Sequence, residues 1–276
     1  MTSPADLTTL ANVKAWLTGN PPIGATDDTL LGRLITSASR FILSTLARDS
    51  ILPATWNDVM DGTDGDRMML RRYPVTSIVS LTVCGSAVTA SSPAPTGAGY
   101  LLQAWQGIPP GRPQLMYRVG GYFPRGKQNV AVSYVAGYAI QGEAQTVPAT
   151  PFQLNALAPY GLFSGDRGVT YAVSGTALTK VASSPTIGQY AVNATGQYTF
   201  AAADTNAAVL ISYAFIPSDL EQACIEFVAE RYRYKGRIGV VSESQGGHVS
   251  TSFSQKDMSD AIRSMIEPFR NVIPIA

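Results

Sequence analysis

A chain of 276 residues with a formal net charge of +1, one histidine and two cysteines holds one large or two modest domains and needs no disulfide to bury a core. The near-neutral balance argues against a nucleic-acid footprint spread over the surface, and no metal-ligand spacing of His and Cys exists. Charged residues are only 14% of the chain, against about 25% in ordinary soluble domains, so much of the surface is expected to be covered by partners.

Cys84 and Cys224 lie far apart in apolar runs and are expected as reduced, small core residues, which suits a reducing cytosol. No stretch is long and apolar enough to span a bilayer, and the N-terminus lacks a basic-then-apolar signal pattern. The expectation is a soluble chain made in the cytoplasm, not exported by the common route and without membrane contact.

Residues 1–6 read as a loose lead. Thr8 or Thr9 caps a short helix with Leu10, Val13, Trp16 and Leu17 on one face, and Gly19-Asn20-Pro21-Pro22 ends it. The principal helix is expected over 26–48. Leu30, Leu31, Leu34, Ile35, Ala38, Phe41, Ile42, Thr45 and Leu46 fall on one face at helical spacing. Thr26 or Asp27 is placed to cap it, and Pro53 forbids its continuation. Thr29, Arg33, Thr36, Ser39, Arg40 and Ser44 form its polar back, a face that suits another subunit as well as water.

The texture then changes to strands. Residues 55–60 and 68–72 are expected to pair across Asp61-Gly62-Thr63-Asp64-Gly65, strong turn chemistry. Residues 77–84 alternate with period two. Residues 85–99 read as a loop, and 100–105, 115–119 and 129–134 as further strands, so 54–137 is expected to be an antiparallel meander. Residues 142–215 carry charge only at Glu143, Asp166, Arg167, Lys180 and Asp204. Strands are expected at 169–173, 190–193, 198–200 and 209–213. Similar strand sequences flank this stretch, as an inserted small β domain has.

Helix returns after Pro217, with Ser218 and Glu221 as a capping box and Leu220, Ala223, Cys224, Phe227, Val228 and Arg231 on one face. Residues 238–253 read as a long exposed loop. Ser254 with Asp257 caps a last helix, striped by Met258, Ala261, Ile262, Met265 and Phe269. The fold class expected is α+β: a bundle of about four helices, an antiparallel β meander and an inserted small β domain. Residues 1–141 with 216–276 form the core, and 142–215 the insert.

No catalytic, cofactor-binding or metal-ligating set is assigned. His248 is the single histidine, in a polar loop without a paired nucleophile. The turn at 61–66 lacks the longer oxygen series and terminal glutamate of an EF-hand loop. No Gly-rich loop runs into Lys-Ser or Lys-Thr, so no nucleotide site is expected. Arg231-Tyr232-Arg233-Tyr234-Lys235-Gly236-Arg237 is the densest basic cluster. An interface fits it first, a solvated helix end second and DNA third. The apolar tail Asn271-Val272-Ile273-Pro274-Ile275-Ala276 would be exposed if it hung free, and its docking on another protein is preferred to docking on its own domain.

Several short segments, in their order, resemble one family. Leu10-Ala11-Asn12-Val13-Lys14-Ala15-Trp16-Leu17, Asp27-Asp28-Thr29-Leu30-Leu31 and Arg33-Leu34-Ile35 look like the opening of tailed-phage head–tail connector proteins, the head-completion adaptors beneath the portal. Leu70-Arg71-Arg72-Tyr73-Pro74-Val75-Thr76-Ser77-Ile78 resembles their L-x-x-x-P-V-x-S-I strand. Val132-Ser133-Tyr134-Val135-Ala136-Gly137-Tyr138 resembles their V-x-Y-x-A-G-Y segment, and Pro217-Ser218-Asp219-Leu220 their P-x-D-L. The resemblance covers roughly 8–140 and 216–270, and 142–215 departs from the shorter members.

It implies a structural virion protein at the neck, in a homo-oligomeric ring that is usually twelvefold. The helices surround a channel through which packaged DNA passes unread. The implied partners are further copies of the chain, the portal protein, and a stopper or tail-terminator protein. On this reading Val272, Ile273, Pro274 and Ile275 dock on the portal. Tyr232, Arg233, Tyr234 and Arg237 make portal or intersubunit contacts. Gly246, Gly247 and His248 lie in a loop facing the tail side or the channel. The rivals are another neck or tail-completion protein, mostly β, and a carbohydrate-binding β module using Tyr171, Tyr190 or Tyr198 as stacking platforms. Hydrolysis needs paired carboxylates, for which Asp166 and Asp204 are the pair considered, and binding is the stronger version.

Overall fold

The computed structural model describes residues 5–17, 24–91, 97–103, 114–235, 242–245, 249–252 and 258–271, the last strand pair through its backbone. The fold is α+β, with four α-helices and several almost wholly antiparallel sheets among the described residues. The described residues of Met1–Asp49 and Ser218–Arg270 form one unit, and those of Ser50–Pro217 another.

The first unit holds α1 (Leu10–Trp16), α2 (Asp28–Thr45), α3 (Ser218–Tyr234) and α4 (Asp260–Ile266). Thr9 caps α1 by accepting the Asn12 N–H. On α2 the buried residues are Leu31, Ile35, Ala38, Ser39, Ile42 and Leu43. The stripe is therefore rotated from the expected one. Phe41 is 40% exposed, whereas Ser39 is fully buried. Ser39 belongs inside because its Oγ accepts the Leu7 N–H at 2.9 Å and lies 3.5 Å from Cys224 Sγ. A buried backbone N–H left without an acceptor is costly, and the Ser39 hydroxyl removes that cost.

Helix α3 is the hub, packing on α1, α2 and α4. Leu220, Ala223, Cys224, Ile225, Phe227, Val228 and Ala229 are all buried. Seven such positions in three turns cover most of a helix's circumference, so neighbours are needed on several sides. Strand pairing runs up to Pro217, opposite Gly161, and α3 begins at Ser218 without a connecting loop. Glu221 Oε1 accepts from Asn12 Nδ2 at 2.6 Å and Thr8 Oγ1 at 3.2 Å, tying α3 to α1. The last helix is capped by Ser259, which accepts the Ile262 N–H; Ser254 and Asp257 lie outside the described residues. Its buried stripe is Met258, Ile262, Ile266 and Phe269, with Ala261 turned out.

In the second unit, β1 (Ala54–Gly62), β3 (Val75–Val83), β4 (Ser86–Val88) and β7 (Gly126–Ala136) make one sheet in the order β1-β7-β3-β4. Strands β2 (Arg67–Met69), β5 (Gly99–Leu102) and β6 (Leu115–Val119) make another, in the order β2-β6-β5. The strands expected on either side of the Asp-rich turn therefore do not pair with each other, and the region is not a meander. The turn carries the chain from one sheet to the next and is held by the segment before β7 and by the start of β7. The Asp64 N–H donates to Phe123 O, Asp64 Oδ1 accepts the Arg125 N–H, and Asp61 accepts Lys127 Nζ and the Gln128 N–H, each between 2.7 and 2.8 Å. Strand β7 takes the centre because Val130, Val132, Tyr134 and Ala136 all turn into one core. Met60, Leu81, Met68, Met116 and Phe123 pack with them from both sheets.

The later strands are β8 (Ala139–Thr146), β9 (Gln153–Asn155), β10 (Gly161–Tyr171), β11 (Thr179–Lys180), β12 (Gln189–Val192), β13 (Gln197–Phe200) and β14 (Ala208–Pro217). They form sheets of order β10-β14-β8 and β11-β12-β13-β9, in which β11 and β12 are parallel. Much of the region expected as a long loop is a hairpin of β15 (Ser242–Gln245) and β16 (Val249–Ser252).

At the junction of β7 and β8, Gly137 has φ of +145°, and a Cβ there would stand 2.3 Å from Pro53 N. Gly137→Ala therefore meets both a disfavoured backbone region and a backbone clash. It should lower stability by about 3 kcal/mol or more, read as the shift of the urea midpoint at constant m-value.

Candidate functional site

The basic–aromatic run falls on the end of α3. Tyr232 OH donates to Asp27 Oδ2 at 2.7 Å, and Lys235 Nζ donates to Asp27 Oδ1 at 3.2 Å. The same ammonium lies 4.2 Å from the Tyr232 ring centroid. Asp27, expected as a cap for α2, makes no side-chain cap bond. It instead latches the start of α2 to the end of α3. Arg233 and Tyr234 are exposed, whereas Tyr232 is engaged within the chain. Arg231 stacks 5.0 Å from the Phe227 ring, which lies 5.4 Å from Phe41. Arg237, Gly246, Gly247, His248, Val272, Ile273, Pro274 and Ile275 lie outside the described residues.

The outward face of α2 carries a shallow groove of about 640 Å³ lined by Thr29, Leu30, Gly32, Arg33, Ser37 and Arg40, among others. Arg33 and Arg40 are exposed there, and among the described residues neither has a hydrogen-bonding or ionic partner. A second cleft, of about 470 Å³ near the β3–β4 turn, is lined by Cys84, Val88, Arg118 and Tyr122, among others. Cys84 is exposed, against expectation, because it turns the chain between β3 and β4. Cys224 is buried, and burial pushes its thiol up to about 12.

The tyrosines of the proposed carbohydrate platform are occupied inside the fold. Tyr190 and Tyr198 are 2% and 0% exposed. Their hydroxyls donate to Asp166 at 2.9 and 3.1 Å. Lys180 Nζ adds an ion pair to the same carboxylate at 3.1 Å. Tyr171 donates to Asp204 at 2.6 Å, Tyr213 to Glu143 at 2.5 Å and Tyr134 to Asp58 at 2.6 Å. Buried rings that cannot reach a sugar face are not stacking platforms, and this corrects the carbohydrate reading of Tyr190 and Tyr198. Tyr134, Tyr190, Tyr198 and Tyr213 are all pushed far above the ordinary tyrosine range, first by burial and then by these carboxylates. The pairing was within reach of the sequence. Residues 142–215 contain three acids among several tyrosines, and a buried acid needs a donor.

Among the described residues no group of three or more His, Cys, Asp or Glu is placed to hold a metal ion, and no helix is long and apolar enough to cross a membrane. No protein-family model matches the chain, and no curated protein matches it in sequence. A solved structure described as "Neck of empty GTA particle computed with C6 symmetry" is similar at 15% identity over 100% of this chain and 95% of that one, with a TM-score of 0.40. A likeness that distant carries no argument about function.

Asp27 is held below the ordinary aspartate value of 3.8, first by the Tyr232 hydroxyl and then by Lys235. Lys235 is held above its ordinary 10.5, chiefly by Asp27. A lowered acid stabilises above its unfolded value, and a raised base below its own. The latch is thus complete between pH 3.8 and 10.5, lost in acid as Asp27 protonates and in base as Lys235 deprotonates. Hydrogen-exchange protection at the end of α3 should fall below pH 3.8. Asp27→Asn should lower it already at neutral pH and remove the acid-side dependence. In the β unit, Tyr198→Phe should cost about 1–3 kcal/mol by stripping a donor from a buried carboxylate, measured by urea unfolding of the full chain.

Proposed function

We propose that this chain is a non-enzymatic virion protein, a head–tail adaptor that forms a ring beneath the portal and links it to the neck. The observation that carries the reading is the union of the chain's two ends. Residues 10–45 and 218–266 meet in one helical unit, with the long β region between them. The connector-like motifs at 10–17, 27–35 and 217–220 fall on the two arms of that helical unit, and those at 70–78 and 132–138 fall on strands of the β region between them. The same reading takes 142–215 as an insert that elaborates the shorter members of the family. The ring is twelvefold by the resemblance, DNA passes through its channel, and the tail-side partner is a stopper or tail terminator. The rival neck proteins are mostly β, and the four-helix unit speaks for the adaptor over them.

In this reading Val272, Ile273, Pro274 and Ile275 grip the portal, and Arg233 and Tyr234, exposed at the end of α3, contribute to a portal or intersubunit contact. Deleting residues 271–276 should abolish portal binding and leave the thermal unfolding curve nearly unchanged. Electron microscopy of the full chain mixed with its portal should show added density beneath the portal ring, absent with the truncated chain. Loss of folding on truncation, or full binding without the tail, refutes the docking role.

A further inference from the structure

The helical unit carries two outward stripes of opposite sign, that on α2 exposed and that on α3 exposed at Asp219 and Glu230 and half-buried at Gln222 and Glu226. On α2, Thr29, Arg33, Ser37, Arg40 and Ser44 are exposed and share one side of the helix at i, i+4, i+7 spacing. The groove over them is open at Gly32, where an added Cβ would meet nothing within 4 Å. At its N-terminal margin Asp28 is taken by Lys14 at 2.5 Å, which leaves the arginines as the unanswered charges of that face. On α3, Asp219, Gln222, Glu226 and Glu230 line the side turned away from the core, with Asp219 and Glu230 exposed. Glu226 accepts Gln222 Nε2 at 2.8 Å, and Arg233 follows one turn on. Glu221 is not part of this stripe, being spent on Thr8 and Asn12.

The spacings match. Arg33 and Arg40 are seven residues apart, as are Asp219 and Glu226, so each stripe presents charges about 10 Å apart along its axis. Both stripes lie on helices that pack against each other through their other sides. One subunit therefore cannot bring its own pair together.

We infer that the α2 arginine face receives the α3 acidic stripe of a second copy of this chain. Two different patches joined head to tail make a heterologous contact, which repeats and gives a ring where the rotation between copies closes. The inference rests on the ring reading above and names its intersubunit faces. In a chain whose net charge is +1, complementary stripes of this kind set the register between subunits while apolar Leu30, Leu34 and Phe41 beside them supply contact area.

The test uses two full-length variants, Arg33→Glu with Arg40→Glu, and Glu226→Arg with Glu230→Arg, each checked for folding by circular dichroism. Assembly is followed by sedimentation velocity, alone and with the portal. Each variant should raise the concentration needed for assembly at least about a hundredfold, since like charges then face each other. An equimolar mixture of the two should restore it, because every contact in an alternating ring becomes complementary. If a variant misfolds, the neutral pair Arg33→Gln with Arg40→Gln takes its place, and a loss of at least about tenfold is then expected. Assembly unchanged in both variants overturns the face assignment and leaves the ring reading standing. So does an arginine variant that assembles normally but loses DNA retention, which would give that face to the channel. A mixture that rescues only a closed dimer supports the faces and overturns the ring. A wild-type chain that stays monomeric at every concentration, with and without the portal, overturns both.

Discussion

The structure depends on satisfying α3. A helix with Leu220, Ala223, Cys224, Ile225, Phe227, Val228 and Ala229 all buried has too wide an apolar arc for one neighbour to cover. Its three partners come from distant parts of the chain: α1 and α2 precede the long β region, and α4 follows the β15–β16 hairpin. The contacts that join them include polar ones at the seams. Ser39 accepts the Leu7 N–H and meets Cys224, Glu221 holds Thr8 and Asn12, Asp27 holds Tyr232 and Lys235, and Arg48 Nε donates to Phe269 O at 2.6 Å. The Ser39 contact satisfies a buried backbone donor that would otherwise be stranded when the helices close.

The scarcity of charge is handled differently in the two units. In the β unit the buried or half-buried acids Asp58, Glu143, Asp166 and Asp204 each take a tyrosine hydroxyl. A phenol is a good answer to a carboxylate inside a sheet. It donates a strong hydrogen bond, its ring fills core volume, and it carries no second charge to desolvate. The consequence is written in the tyrosines themselves, which resist ionisation well beyond their usual range. Only Asp58 and Asp166 add a cation, from Arg72 and Lys180. In the helical unit Arg33, Arg40, Asp219 and Glu230 are instead left on exposed faces, where a charge costs little in the monomer.

These two treatments suit a part that must be rigid by itself and specific toward others. The β unit answers its buried and half-buried acids Asp58, Glu143, Asp166 and Asp204 from within, each by a tyrosine hydroxyl. The helical unit gathers α1 and α2 with α3 and α4 and keeps Arg33, Arg40, Asp219 and Glu230 outward. The adaptor role proposed above calls for both properties, since a ring must hold its shape while repeated contacts fix its register.

Hydrophobic spacing alone determined that four helices exist and roughly where they lie, because an amphipathic stripe at helical period has to be buried whatever covers it. It likewise marked most strands, through alternation or apolar runs between turn residues. The same spacing could not tell which side of α2 would be innermost by one residue. That was settled by Ser39, whose burial depends on a partner 32 residues away. Nor could it tell that Asp27 would leave the role of a cap for Tyr232, or that the strands beside the Asp-rich turn would part to different sheets. Cap and turn chemistry are local, while pairing is decided by competition with distant strands such as β7, which offers a wholly apolar face. The sequence made α2 the evident centre because its stripe is cleanest. Only the tertiary structure gave that place to α3, since the number of neighbours a helix requires depends on what the rest of the chain brings to it.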